Sequence, residues 1–207
     1  MISTWMIMAV LIAFAVIVRI KLKSFKDVPK GFQNVVEFLV ETFENYLRTT
    51  VGDKLMFLGN WFFTVFAFVI VSNLSGLIPT FRPPTADWSM TVMLALCTFF
   101  LIQFLAIKYR GGEYLRTFLA PFPIFLPMNI ISEIARPISL SFRLFGNMLS
   151  GLVMMALIYN QLLVPARFVI PAALHLYFDV FAGVLQTYIF CTLGLSFIAG
   201  SSEAPEA

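Results

Sequence analysis

A chain of 207 residues that is 60% hydrophobic and only 12% charged, with a mean hydropathy of +0.90, has too little polar surface to enclose a water-soluble core. Its net charge of +3 raises nucleic acid as a partner, but the basic residues are dealt out between apolar runs, and that placement excludes it. Cys97 and Cys191 both fall inside apolar runs, so they read as small buried hydrophobes and not as a structural disulfide.

Five charge-free windows, Met1–Val18, Leu55–Phe81, Trp88–Ile107, Leu144–Ala166 and Val180–Ser202, reach the roughly 20 residues a helix needs to cross a bilayer. The expected fold is an all-α polytopic membrane protein of about five membrane helices plus one surface amphipathic helix, a single membrane domain over residues 1–207. The first span, 1–20, carries its basic residues after the apolar run and shows no small-x-small site, so it reads as a membrane helix and not a signal peptide. Over 30–50, Phe32, Val35, Val36, Leu39, Phe43 and Leu47 recur at helical spacing while Glu37, Glu41, Glu44 and Arg48 take other faces. Beside a basic cluster, this is the pattern of an amphipathic helix on the cytoplasmic membrane surface. The second span, 56–79, and the third, 88–107, are joined by a Pro-rich outer turn, Leu77–Trp88.

The last two helices, 127–161 and 165–199, would each be about 50 Å long against a hydrocarbon core of roughly 30 Å. They must tilt steeply, as a hairpin, or break, and Pro137 and Pro171 are available kink points. Gly146, Ser150 and Gly151 offer small surfaces for another helix to approach. At 100° per residue, Glu133, Arg136, Arg143 and Asn147 fall within an arc of about 80°. On the following helix His175, Asp179 and Gln186 fall within about 40°, with Gly183 beside them. Ionisable residues inside a membrane normally line a water-filled path or face protein. A Glu133–Arg136 ion pair at i, i+3 and a satisfied buried His175 are the plain alternatives for single members; seven polar side chains on two matched faces exceed what packing requires. Arg143 has no acidic residue three or four positions away, so its partner lies elsewhere in the fold or on another protein. Apolar positions such as Leu157 and Leu195 read as lipid-facing.

Arg19, Lys21, Lys23, Lys26 and Lys30 follow the first span, Arg48 and Lys54 precede the second, and Lys108, Arg110 and Arg116 follow the third. That places ten basic residues on one side against Arg82 and Arg167 on the other. The positive-inside rule then sets the N-terminus outside and the tail, Ser201–Ala207, in the cytoplasm.

The segment "ARPISLSFRLFGNMLSG" (Ala135–Gly151), followed by "GVLQTYIF" (Gly183–Phe190), resembles subunit a of the F-type ATP synthase membrane sector, and "NLSGLIPTFRPPTADWSMTVMLAL" (Asn73–Leu96) looks like that family's second-and-third-span signature. The resemblance covers nearly the whole chain. It implies a stator subunit without catalytic chemistry of its own, lying against a ring of c subunits whose carboxylates carry ions around the membrane. Two aqueous half-channels in such a subunit reach those carboxylates. The family's obligatory arginine falls on Arg143, its last-helix glutamine on Gln186 and its last-helix channel groups on His175 and Asp179. Glu133 and Asn147 become channel-lining candidates. No cofactor is implied beyond the translocated ion, H⁺ or Na⁺. The implied partners are the c-ring, the peripheral-stalk subunit b, the bilayer and, indirectly, the F1 sector. A bacterial plasma membrane is the expected location, with the mitochondrial inner membrane as the alternative. Many members carry an acid or histidine after the glycine that follows R-L-F-G-N, paired with an ionisable group on the final helix. Here that position is Leu152, and Asp179 stands where others have histidine or glutamate.

Two other classes compete. A secondary transporter predicts internal repeats, and the chain has none. An intramembrane enzyme could use His175 and Asp179 as metal ligands, but no H-E-x-x-H third ligand and no G-x-S-x-G elbow accompanies them.

Overall fold

The computed structural model describes residues 2–22, 31–78, 81–112, 114, 119, 122–161 and 166–202. Its helices are α1 (Ile2–Lys21), α2 (Phe32–Val51), α3 (Gly59–Leu74), α4 (Trp88–Arg110), α5 (Leu126–Gln161), α6 (Ala166–His175) and α7 (Gly183–Ser202). Among the described residues there is no strand. Lys23, Lys26, Lys30, Arg116, Pro165 and the tail beyond Ser202 lie outside the described residues.

Among the described residues, five runs are long and apolar enough to cross a membrane: Ile2–Lys21, Met56–Leu77, Trp88–Tyr109, Leu126–Tyr159 and Ile170–Gly200. A helix satisfies its backbone hydrogen bonds within itself, which is why a chain this apolar can enter a bilayer. The chain is a multi-pass, all-α membrane protein, as its composition predicts.

Local chemistry sets the helix ends. Asp87 caps α4 by accepting a 3.1 Å hydrogen bond from the Ser89 amide. Gly52 and Gly111 close α2 and α4 at φ of 69° and 54°, where a side chain would be strained, and their amides donate back to Arg48 and Ile107 carbonyls.

The predicted apolar stripe of α2 is divided. Val36, Phe43 and Leu47 are buried, while Phe32, Val35 and Leu39 are uncovered. The buried edge docks on α7, where Tyr46 Oη and Thr192 Oγ1 share a 2.6 Å hydrogen bond and the Tyr46 ring lies 5.7 Å from that of Tyr188. Burial, chiefly, pushes the Tyr46 phenol above its ordinary value, so it keeps its proton and its hydrogen bond at neutral pH.

Two apolar clusters hold the spans together. Ile7, Val65, Phe68, Val69, Ala95, Leu140, Leu144, Phe190 and Cys191 form one, joining α1, α3, α4, α5 and α7. The other, Phe43, Leu47, Leu58, Phe62, Ile102, Leu105, Leu195 and Ile198, joins α2, α3, α4 and α7. Lipid tails are as apolar as leucine, so close van der Waals packing, and not apolarity itself, holds these helices together.

Two expectations are corrected here. Leu195 is fully buried in the second cluster, not lipid-facing, because α7 packs against α2, α3, α4 and α5. Cys97 is exposed on α4, whereas Cys191 is buried as expected; both are free thiols. Leu157 is exposed, as predicted.

The last two runs form the long hairpin, and they resolve their excess length differently. α5 continues unbroken for 36 residues, about 54 Å, with Pro137 inside it. The return run does not stay α-helical: between α6 and α7, residues Leu176–Ala182 form a π-helical segment. Pro171 lies within α6 and does not end it.

Replacing Leu195 by alanine should open a cavity among α2, α3, α4 and α7 and destabilise the protein by about 2–5 kcal/mol, whereas Leu157→Ala should cost well under about 1 kcal/mol. Thermal denaturation of both variants in mild detergent checks the contrast, and equal losses would place Leu195 outside the core.

Candidate functional site

The π segment builds the first part of the site. Such segments widen the helix by one residue per turn, re-aim side chains and recur at functional positions. His175 ends α6 and Asp179 lies inside the π segment, so the four-residue step brings them together: His175 Nδ1 and Asp179 Oδ2 form a hydrogen bond and ion-pair contact. From α5, Tyr159 Oη reaches the other ring nitrogen, His175 Nε2, at 3.2 Å. A neutral imidazole with its proton on Nδ1 donates to the carboxylate and accepts from the phenol, and a protonated one donates at both nitrogens. Tyr159, His175 and Asp179 thus form a three-member chain able to hold or pass one proton. Asp179 is 7% exposed, so its surroundings are protein.

Along α5 the predicted stripe separates into two parts. Glu133 and Arg136 pair at 2.6 Å, and the Arg136 guanidinium also sits 4.9 Å from the Phe197 ring centroid of α7. Glu133 turns towards α4, where Gln103 Nε2 donates to its Oε1 at 3.3 Å. Tyr114 places its hydroxyl 3.0 Å from the same oxygen and 2.7 Å from Gln103 Oε1. Burial first, and then the Glu133 carboxylate, push the Tyr114 phenol up to about 12. The plain ion-pair reading of Glu133 and Arg136 therefore holds, inside a larger cluster.

Arg143 stands apart. It is exposed, and among the described residues no hydrogen bond or ion pair reaches it. Beside it runs an open groove of about 370 Å³, lined by Ser132, Ala135, Arg136, Ser139, Leu193 and Phe197. The three small residues singled out on this helix divide their work: a Cβ on Gly146 would meet open space, and Ser150 is exposed, but a Cβ on Gly151 would lie 3.3 Å from Phe178 Cβ. Gly151 admits the chain's own π segment, while Gly146 and Ser150 leave the Arg143 face open.

Asn147 and Gln186 each bury a side-chain nitrogen, Nδ2 and Nε2, with no hydrogen-bond partner among the described residues. Gln186 is 5% exposed, one turn beyond the π segment. A buried amide without a partner costs about 1–3 kcal/mol, a cost that a hydrogen-bonding group placed beside it would remove.

Sequence reasoning found His175 and Asp179 together and Glu133 with Arg136, because helical neighbours at i+3 and i+4 meet wherever the helix goes. It missed Tyr159, Gln103 and Tyr114, which join through tertiary packing. The one available signal was Gln103, the single strongly polar side chain in the centre of an otherwise apolar span.

Five membrane-crossing helices, a buried acid–imidazole pair on one arm of the hairpin and a lone exposed arginine on the other define a multi-pass membrane protein with ionisable groups inside its spans. A family model described as ATP synthase A chain matches residues 1–199, and the chain belongs to that family. It is 33% identical to ATP synthase subunit a of Desulfosudis oleivorans over 98% of this chain and 87% of the relative. Identity is 36% with that of Geobacter sulfurreducens, over 97% and 86%. With the Propionigenium modestum protein, whose name adds "sodium ion specific", it is 35% over 97% and 72%.

Tyr114 carries a sign-defined prediction. Its phenol ordinarily titrates near 10.0 and here near 12, so the cluster's contribution should be whole below pH 10 and fade as pH rises to 12. Tyr114→Phe should cost about 1.5–3 kcal/mol near neutrality, the range for a hydrogen bond to a charged group. Melting both proteins from pH 7 to pH 12 should show a constant gap that narrows only above about 10.

Proposed function

We propose that this chain is the ion-translocating stator subunit of an F-type ATP synthase, coupling the flow of H⁺ or Na⁺ to rotation and ATP synthesis. One observation carries the reading: Arg143, an exposed cation on the hairpin with no acidic partner among the described residues, in a chain of this family. Charges inside a membrane span cost about 2.5–3.5 kcal/mol on insertion scales, so an unpaired one is kept for a partner that comes from elsewhere. The c-ring carboxylates are that partner. A carboxylate 4 Å away in a medium of effective dielectric 20 gains about 4 kcal/mol.

The mechanism follows from the guanidinium. It keeps its proton at any biological pH, so it attracts an arriving rotor carboxylate and favours the ionised form. The bound ion is released into the exit half-channel, and the fixed charge repels an ion hopping directly between the half-channels. The Tyr159–His175–Asp179 chain serves one half-channel, and Gln186 and Asn147, with buried unpartnered amide nitrogens, line the water-filled route. Glu133, with Gln103 and Tyr114, belongs to the other half-channel. Leu152 cannot supply the paired group that many members carry; His175, in contact with Asp179, takes that place. The chain itself performs no catalytic chemistry and needs no resident cofactor. Its partners are the c-ring, subunit b of the peripheral stalk, the bilayer and, through these, the F1 sector. The basic residues set the N-terminus outside and the C-terminus in the cytoplasm of a bacterial plasma membrane.

Arg143→Ala should abolish ATP-driven ion pumping and potential-driven ATP synthesis in reconstituted liposomes, and passive ion leak should rise. Arg143→Lys should also lose most coupled turnover, because an ammonium lacks the planar fork and can shed its proton when desolvated. Assembly is scored separately by copurification with the c-ring, and an assembled Arg143→Ala complex that pumps at normal coupling would refute the mechanism. Single cysteines at 133, 147, 175, 179 and 186, with Cys97 and Cys191 replaced, should react with aqueous thiol reagents while one at 157 should not. Silence at all five stripe positions would mean that no water path runs there.

A further inference from the structure

The end of α3 and the 3-10 turn that follows it, Ser75–Leu77, carry two residues that face the π segment and belong to neither ionisable stripe. A Cβ placed on Gly76 would lie 2.9 Å from Asp179 Oδ1, 3.2 Å from its Cγ and 3.4 Å from Pro83 Cγ. Carbon atoms pack best at about 3.5–4.0 Å, so a side chain at position 76 does not fit unless the carboxylate moves. One turn earlier, Asn73 is fully buried. Its Nδ2 donates to the Gly183 carbonyl at 2.9 Å and to Thr187 Oγ1 at 3.1 Å, while its Oδ1 accepts from Thr85 Oγ1 at 2.8 Å. Thr187 Oγ1 also donates to the Gly183 carbonyl, at 2.8 Å, and a Cβ on Gly183 would lie 3.1 Å from Asn73 Cβ. Gly183 closes the π segment, so its carbonyl, with two side-chain donors, marks a pinned end.

The π segment is approached at its middle by Gly76 and held at its end by Asn73. A π turn is rare because α geometry normally wins, and it persists where its surroundings fit only the wider turn. Here the fit is specific: Gly76 leaves room for the carboxylate, and Asn73 grips the carbonyl one turn beyond it.

We infer that the Asn73–Gly76 segment, at the end of α3 and in the turn after it, is a positioning element for the Asp179 carboxylate, seating it against an absent side chain and pinning the π turn that aims it at His175. The inference rests on the reading of Asp179 as an ion-path group and extends it to two residues of another span. Titratable groups around Asp179 are few. Gly59–Leu77 and Pro83–Ala86 contain none. From α5 only Tyr159 reaches the pair, through His175; among the described residues no hydrogen bond or ion pair joins Asp179 to Glu133, Arg136 or Arg143. On α7, Tyr188 rests on Tyr46, and Cys191 lies in the apolar core.

The test is the pH profile of ATP-driven pumping by the reconstituted whole complex. Gly76→Ala should assemble, pump more slowly and move the acidic limb of the profile to higher pH, by on the order of one unit, because a carboxylate displaced from the imidazole loses a partner of its ionised form. Asn73→Ala, which adds no atoms, should move the limb the same way, and Gly200→Ala, where a Cβ would meet nothing within 4 Å, should leave it in place. In an Asp179→Asn background neither change should move the limb further. Should Gly76→Ala fail to assemble, Asn73→Ala decides alone. Profiles of Gly76→Ala or Asn73→Ala that superimpose on wild type, while Asp179→Asn alters the profile, would overturn the positioning role and leave the ion-path reading standing. A wild-type profile for Asp179→Asn would overturn the ion-path reading itself.

Discussion

Inside a membrane an ionisable side chain must find a partner, and the arrangement of this protein follows from how each one does so. Arg136 takes Glu133, Glu133 adds Gln103 and Tyr114, and His175 bridges Asp179 and Tyr159. Each solution draws in another helix: α4 is drawn to α5 by the first cluster, and α5 to the return run by the second. Apolar packing alone discriminates weakly among helix arrangements in lipid, so these polar contacts fix which faces meet. With Glu133 paired to Arg136 and Asp179 to His175, Arg143 is left presented outward, on a face of small residues.

The π segment gives the return run its shape. An uninterrupted α-helix from α6 to α7 would carry His175, Asp179 and Gln186 on one narrow stripe. With the wider turn between them, the two members before its end share a hydrogen bond, and Gln186 beyond it sits apart with a buried, unpartnered amide. The acid and the glutamine are thereby given different surroundings although seven residues separate them. Asp179 is held by an imidazole, whereas the Gln186 amide nitrogen is buried without a hydrogen-bond partner among the described residues.

Most of the architecture was legible because hydropathy and helical spacing are local properties. The five spans, the amphipathic α2 and the contacts at i+3 and i+4 all come from such patterns. The failures share a cause. α7 is apolar on every side, so nothing in its sequence distinguishes Leu195, which is buried, from a residue facing lipid. Cys97 is likewise set by which side of α4 its neighbours choose. No residue type announces a π turn, and a glycine such as Gly76 reads as a helix terminator until the carboxylate opposite it is seen. What stayed hidden was tertiary, and in lipid tertiary choices leave little trace in composition.

The hydrogen bond between Tyr46 and Thr192 has a mechanical meaning. α2 is not among the runs apolar enough to span a bilayer, yet it is fastened side-on to α7, the arm that carries Gln186, by that bond and by Phe43 and Leu47. A lone membrane helix pushed sideways resists only through its loops and its neighbours in the plane. α7 has in addition α2 packed against it, with Phe32, Val35 and Leu39 of α2 uncovered. A sideways displacement of α7 would therefore have to move α2 with it, a part of the chain that carries none of the site's polar groups.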